Sequence, residues 1–258
     1  RHNTHMCELL GISRGYRDAT TKLMRRFQRR GGDIADNPDG WGIAYLDSGT
    51  FALHKEPQSA AHSRHYEELA REIRTDLLIA HVRKANYPPV NTLANTHPFK
   101  RVCCGREWIF AHNGLVPEIV EIMHRGLHPL CTSAGDTDSE YAFCHLLENI
   151  ALHFNAPHPS GTESWFQILA TVSELVATHG KFNFLISDGT YLIAYGHNRL
   201  HYREHRERGT DNTMRYEAWV ATEPLTDELW QPFERGELRI YHRGQLTGRL
   251  HTQPPPVK

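Results

Sequence analysis

The sequence predicts an α+β fold, and two mainly antiparallel sheets with helices outside accommodate its pattern. Two observations carry this. Strand signals come first, two helices follow one another mid-chain, and mostly strands come after. The regular strand–helix alternation of a doubly wound parallel sheet is missing. The 258 residues are about 1.7 times a domain prior of about 150, so one large domain or two small ones satisfy the length. Such a chain buries roughly three quarters of its unfolded surface and needs neither disulfide nor metal to hold a core.

The elements follow in order. A helix is expected at about 18–30, a strand at 41–47 (WGIAYLD), a helix at 64–74 and a strand at 76–83 (DLLIAHVR). A strand at 108–112 (WIFAH) runs into a helix at 115–125. Over 138–152, Tyr141, Phe143, Cys144, Leu147 and Ile150 recur at three- and four-residue steps, the spacing of one helix face. Over 162–179, Trp165, Ile168, Leu169, Val172, Leu175 and Val176 repeat that spacing, and Gly180 stops the helix. Strands are expected at 181–187, 190–196, 217–222 and 237–242. Composition stays globular over 6–252, and residues 253–258 (QPPPVK) read as a Pro-rich tail.

Charge and composition exclude several classes. The 29 Lys and Arg against 30 Asp and Glu give a net charge of −1, so no global basic field draws nucleic acid. The longest apolar runs fall far short of the ~18–20 residues of a membrane helix. No secretory signal follows the start. His5-Met6 is what a common cloning site encodes, so residues 1–5 are expected to be a cloning remnant and Met6 the natural start. The five cysteines lack CxxC spacing and suggest neither a disulfide framework nor a zinc ribbon. A cytoplasmic, reducing location is expected.

One position stands out chemically. If Met6 is removed, Cys7 carries both a thiol and a free α-amine, with unperturbed pKa values near ~8.5 and ~7.7–8.0. The amine can then take the thiol's proton and activate the nucleophile without a histidine; the plainer alternative is a small residue starting an edge strand. An acyl-transfer nucleophile needs oxyanion donors, and Asn113-Gly114, directly after WIFAH, offers a side-chain amide beside a glycine N–H. Asn-Gly alone also reads as a turn. Arg83 at the end of DLLIAHVR can hold a carboxylate with two parallel hydrogen bonds or be an exposed strand-end charge. In GDTDSE, Asp136 reads as a helix cap, whereas Asp138 either caps or faces a substrate ammonium.

Taken together and in order, MCELLG, NPDGWGIAYL, HVRKA, NTHPF, AHNGL and GDTDSE resemble the stand-alone class II glutamine amidotransferases of the YafJ type, within the N-terminal nucleophile hydrolases. The resemblance covers essentially the whole chain after Met6. It implies a four-layer αββα sandwich and an amidohydrolase that cleaves the γ-amide of glutamine or a related γ-glutamyl compound through a thioester. It makes Cys7 the nucleophile and its α-amine the base. It further makes Asn113 and Gly114 the oxyanion pair, Arg83 the grip on the substrate α-carboxylate and Asp138 the partner of its α-ammonium. His97 and the pair Trp41-Gly42 match segments that line or support the pocket. Lys84 stands where better-known members carry tryptophan, which alters the pocket rim. The substrate is a small molecule; no cofactor or metal is implied, and a separate ammonia-accepting subunit is an alternative to hydrolysis in its own right.

Rival readings are weaker. His201 to His205 fits H-x-x-E-H, but the surroundings read as strand and hairpin where zinc chemistry needs a helix. Asp33, Asp36 and Asp39 are spaced by three where a calcium loop needs two. The basic stretch 22–30 reads as a solvated helix face. A module that kept the fold and lost turnover is disfavoured by the presence of Cys7, Asn113, Gly114, Arg83 and Asp138 together.

Overall fold

The computed structural model describes residues 6–126, 131–154 and 164–257. The expected remnant at 1–5, the first two residues of the 162–179 helix and the final tail residue lie outside them. Thirteen strands form two sheets in which every pairing is antiparallel. The seven-stranded sheet contains β1 (Glu8–Ala19), β2 (Gly40–Asp47), β3 (Thr50–Glu56), β4 (Arg74–Arg83), β9 (His201–Arg208), β10 (Met214–Ala221) and β11 (Gln231–Pro232), ordered β11-β9-β10-β1-β4-β2-β3. The six-stranded sheet contains β5 (Phe99–Cys103), β6 (Arg106–Leu115), β7 (Lys181–Ser187), β8 (Tyr191–Gly196), β12 (Glu237–His242) and β13 (Gln245–His251), ordered β13-β12-β8-β7-β6-β5. Helices α1 (Thr21–Arg29) and α2 (Arg64–Glu72) cover the first sheet, and α3 (Glu118–His124), α4 (Asp138–Phe154) and α5 (Ser164–Ala177) the second.

Strand periodicity explains the layers. In β1, Leu9 faces the other sheet with Ile109, Leu185 and Leu192, while Leu10 packs outward with Leu23, Phe27 and Tyr66 of the helices. In β4, Ile79 joins the core between the sheets and Leu78 and Ala80 the outer one. A strand buried on both faces reads as a continuous apolar run, since side chains two residues apart share a face and neighbours do not. Helices α4 and α5 bury Phe143, Leu147, Trp165 and Leu169 against Trp108, Phe110 and Phe184. The four layers are α, β, β and α, as expected.

Several local features depart from the sequence reading: β3, β5 and β13 are absent from its strands, the helix expected at about 18–30 begins at Thr21 because β1 runs to Ala19, and two further departures bear on the site. Strand β1 carries no strand signal in that reading, yet it is twelve residues long and lies between β10 and β4. Gly11, Gly15 and the charges after Ser13 mask it, and the pairing is made by partners far away in the chain. A disulfide joins Cys131 to Cys144, thirteen residues apart and with Cα atoms at 5.1 Å. The turn into α4 makes that approach, and no sequence spacing signals it. Among the described residues no helix is long and apolar enough to cross a membrane.

Phe143 stacks on Phe110 with ring centroids 5.0 Å apart and is fully buried. Phe143→Ala is expected to destabilise the protein by about 3–5 kcal/mol, read as a lowered urea midpoint with an unchanged slope.

Candidate active site

Cys7 precedes β1 at the end where Glu8 pairs with Val82 of β4. Its Sγ accepts from the Lys84 N–H at 3.3 Å and donates to the Lys84 carbonyl at 3.4 Å. Burial pushes the thiol up to about 11, against the lowering pull of the Lys84 N–H and the Arg83 charge. The next residue anchors this position. The buried Glu8 carboxylate accepts from Arg30 at 2.9 and 3.0 Å, from Asn37 at 3.1 Å and from the Thr222 hydroxyl at 3.3 Å.

Asn113 comes from the opposite sheet, and a chain of amides sets its orientation. Across β6 and β7 it pairs with the fully buried Asn183. The Asn183 Oδ1 accepts three backbone N–H groups, from His197, Asn198 and Arg199, at 2.8–3.0 Å. Only an oxygen satisfies three donors, so the Asn183 Nδ2 must face Asn113. It donates to the Asn113 Oδ1 and main-chain carbonyl, both at 3.2 Å. That turns the Asn113 Nδ2 to the other side, where it donates to the Cys7 carbonyl. Gly114 follows with φ +151°, and a Cβ there would lie 2.0 Å from the Lys181 carbonyl oxygen. No other residue fits.

Arg83 is buried (3% exposed) and forms no ion pair among the described residues. Its guanidinium donates to the carbonyls of Val90 at 2.8 Å and Pro88 at 3.3 Å, so the loop after β4 wraps around it. The NPDG segment pins the same backbone. The Asp39 N–H donates to the Arg83 carbonyl at 3.0 Å, and the Asp39 carboxylate accepts from the Ala85 N–H at 2.8 Å. Lys84 reaches Asp36 at 2.8 Å. Asp138, also 3% exposed, opens α4 and has no cation within ion-pair distance among the described residues. It accepts from the N–H groups of Val116 at 2.6 Å and Ser139 at 2.9 Å, and burial raises its pKa. Both Arg83 and Asp138 act electrostatically on the Cys7 thiol. The helix cap is Thr137, whose Oγ1 accepts from the Glu140 N–H at 3.2 Å, in place of the expected Asp136.

Behind these groups lie three buried histidines. His97 stacks on His81 at 4.1 Å and packs at a tilt against Phe99 at 4.5 Å, and neither of its ring nitrogens has a partner among the described residues. Its carbonyl passes so close to Gly42 that a Cβ there would lie 1.9 Å away. His81 shares a hydrogen bond with the His112 carbonyl at 3.2 Å, and His112 contacts the Ser139 hydroxyl at 2.8 Å. Burial lowers all three pKa values, that of His81 to about 3, so the cluster is neutral at physiological pH. Trp41 donates to Glu56 at 2.9 Å beneath the same layer. The sequence reading missed Glu8, Asn183, His81 and His112. Glu8 lies inside MCELLG and the histidines inside HVRKA and AHNGL, whereas Asn183 sits in the apolar strand run 181–187.

A cavity of about 670 Å³ opens beside Met6 and Gly114. Leu115, Lys181, His197 and the tail residues Pro255 and Pro256 form part of its wall.

The family model for glutamine amidotransferases class-II matches residues 6–209. This chain belongs to the class II glutamine amidotransferases. It is 31% identical to YafJ of Escherichia coli K12 over 261 residues, covering 93% of this chain and 99% of that protein. It is 33% identical to protein MJ1515 of Methanocaldococcus jannaschii, covering 93% of this chain and 70% of that protein. A crystal structure of a predicted glutamine amidotransferase from Pseudomonas aeruginosa has a TM-score of 0.69 at 32% identity, covering 94% of this chain and all of that one. The phosphoribosylpyrophosphate amidotransferase of B. subtilis shares the fold, with a TM-score of 0.64 at 19% identity over 95% of this chain and 49% of that one.

In this amidotransferase the rival motifs have other uses. His201 and His205 lie on β9, where four residues span about 13 Å at strand rise, too far for one metal ion. Asp33 pairs with Arg29 at 2.9 Å, and Asp36 and Asp39 hold the HVRKA segment as described above.

Two outcomes are expected. With residues 1–6 attached, alkylation of Cys7 is slow at about pH 7.5 and rises about tenfold per pH unit toward about 11, because only the thiolate reacts. Peptide mapping by mass spectrometry separates it from Cys103 and Cys104. In protein starting at Cys7, Asn183→Asp lowers kcat about 100-fold or more with little change in KM. A carboxylate there draws the Asn113 amide N–H groups away from Cys7; with Asn113 in the oxyanion role the family resemblance implies, losing that donor costs about that much.

Proposed function

We propose that this chain, when it begins at Cys7, hydrolyses the γ-amide of glutamine or a related γ-glutamyl compound. The observation carrying this reading is the pair of buried, opposite charges at Cys7, Arg83 and Asp138, neither of them ion-paired among the described residues. An unpaired buried charge costs several kcal/mol, and the α-carboxylate and α-ammonium of a free amino-acid end supply both missing partners. Lone-pair positions remain on the Asp138 carboxylate and N–H groups on Arg83 beyond those already used.

The steps follow. The α-amine of Cys7 takes the thiol proton and Sγ attacks the γ-carbonyl carbon. The Asn113 Nδ2 and the Gly114 N–H hold the oxyanion. On collapse the carbon–nitrogen bond breaks, and the amine leaves with the proton returned by the α-ammonium. Water then attacks the γ-glutamyl thioester, and glutamate and the thiol are released. A thiol suits this sequence because its acyl product is readily hydrolysed. His97, buried behind Arg83 and His81, acts as support. A reducing cytoplasm suits a mechanism that needs Cys7 unoxidised.

Protein starting at Cys7 is expected to release glutamate from glutamine or from a panel of γ-glutamyl amides and peptides, whereas Cys7→Ala and protein with residues 1–6 demonstrably intact do not. Full turnover with the extension intact would falsify the α-amine mechanism. Absence of release from every substrate overturns the hydrolase reading. Arg83→Lys is expected to raise KM about tenfold or more, since lysine cannot reproduce the paired hydrogen bonds. A collapse in kcat at unchanged KM would remove Arg83 as the carboxylate grip.

A further inference from the structure

The cavity beside Gly114 is far larger than an ammonia molecule needs. At about 670 Å³ it falls in the range of about 300–1,000 Å³ that encloses whole organic ligands, whereas a water-sized leaving group takes about 30 Å³. It is not the pocket of the amino-acid end, because neither Arg83 nor Asp138 lines it. It adjoins Gly114 and Met6, the residue that precedes Cys7, and Met6 itself occupies part of its wall. Most of the lining is apolar, including Leu115, Pro117, Ala177 and Pro255.

The polar groups of the wall are nearly all engaged. His197 accepts from the Phe182 N–H at 3.3 Å and donates to the Pro255 carbonyl at 2.7 Å. His179 meets Glu118 at 2.7 Å. Lys181 differs. Its ammonium forms no ion pair among the described residues and touches only the Met6 sulfur, at 3.8 Å. A thioether is a weak acceptor, and in a chain that begins at Cys7 that contact no longer exists. The Lys181 ammonium then faces an apolar cavity beside Gly114.

We infer that this cavity is the leaving-group subsite, and that it takes an amino acid or short peptide with an apolar side chain whose free carboxylate pairs with Lys181. The inference rests on the reading of Cys7 as nucleophile and deepens it. The preferred substrate is a γ-glutamyl peptide rather than glutamine, and the departing amine carries its own carboxylate. The walls from the tail and from Leu115 enclose the side chain, and Lys181 sets which end of the leaving group is held.

Binding isolates this step from turnover. Protein starting at position 7 and carrying Cys7→Ala is titrated calorimetrically with γ-glutamyl-leucine and with its C-terminal amide. The acid is expected to bind about tenfold or more tightly than the amide, as one charge-assisted hydrogen bond allows. Lys181→Gln brings the two within about twofold, and Lys181→Arg preserves the preference. Equal binding of acid and amide by the parent protein, or a preference that survives Lys181→Gln, overturns the inference. Turnover of glutamine by the Cys7 protein without any acid preference leaves the hydrolase reading standing and removes the subsite. A preference for the acid in a protein without turnover does the reverse.

Discussion

The site depends on a line of oriented amides that crosses from one sheet to the other. Asn183 is fixed by three backbone N–H groups, it fixes Asn113, and Asn113 reaches the carbonyl of Cys7. Both asparagine side chains are buried, where an unmet hydrogen bond costs about 1–3 kcal/mol, so a flipped amide is strongly disfavoured. The order of donors is thereby imposed from the β8–β9 connection, well outside any recognisable motif. On the other side Glu8 is clamped by Arg30, Asn37 and Thr222, which holds the residue after the nucleophile just as firmly.

Electrostatics add a second constraint. The protein keeps Arg83 and Asp138 apart and buried, each held by main-chain groups rather than by a countercharge. Three neighbouring histidines stay neutral because burial penalises their charged forms. Packing these rings as neutral bodies avoids further positive charge beside Arg83, whose own charge acts on the thiol. Two buried charges of opposite sign therefore act on the Cys7 thiol from its surroundings.

The cysteines divide by position. Cys131 and Cys144 close the segment that carries Asp138 at the start of α4, while Cys7 stands free beside Lys84. The loop after β4, the turn into α4 and the strand end at Gly114 thus meet around one thiol, each tied down by its own local hydrogen bonds. This explains why residues so far apart in the chain are all constrained in backbone as well as in side chain.

Composition and periodicity alone predict the α+β class, the long helices α4 and α5, and the strands with clear runs such as 76–83 and 181–187, because burial on one or two faces leaves a periodic imprint. The sequence also singled out Cys7, Arg83, Asn113, Gly114 and Asp138 as candidate site residues, through ordered short motifs that match a known family. Where β1 pairs emerges from long-range packing instead, since its glycines and charges hide a strand whose partners come from positions 74–83 and 217–221. The same packing decides that Asn183 orients Asn113, that Glu8 is an anchor, that Cys131 meets Cys144 and that Lys181 shares a cavity with the tail. These are contacts between residues distant in the chain. Local propensity and hydrophobic period carry no information about them, because they arise when two sheets pack face to face and bring separate strand ends to one place.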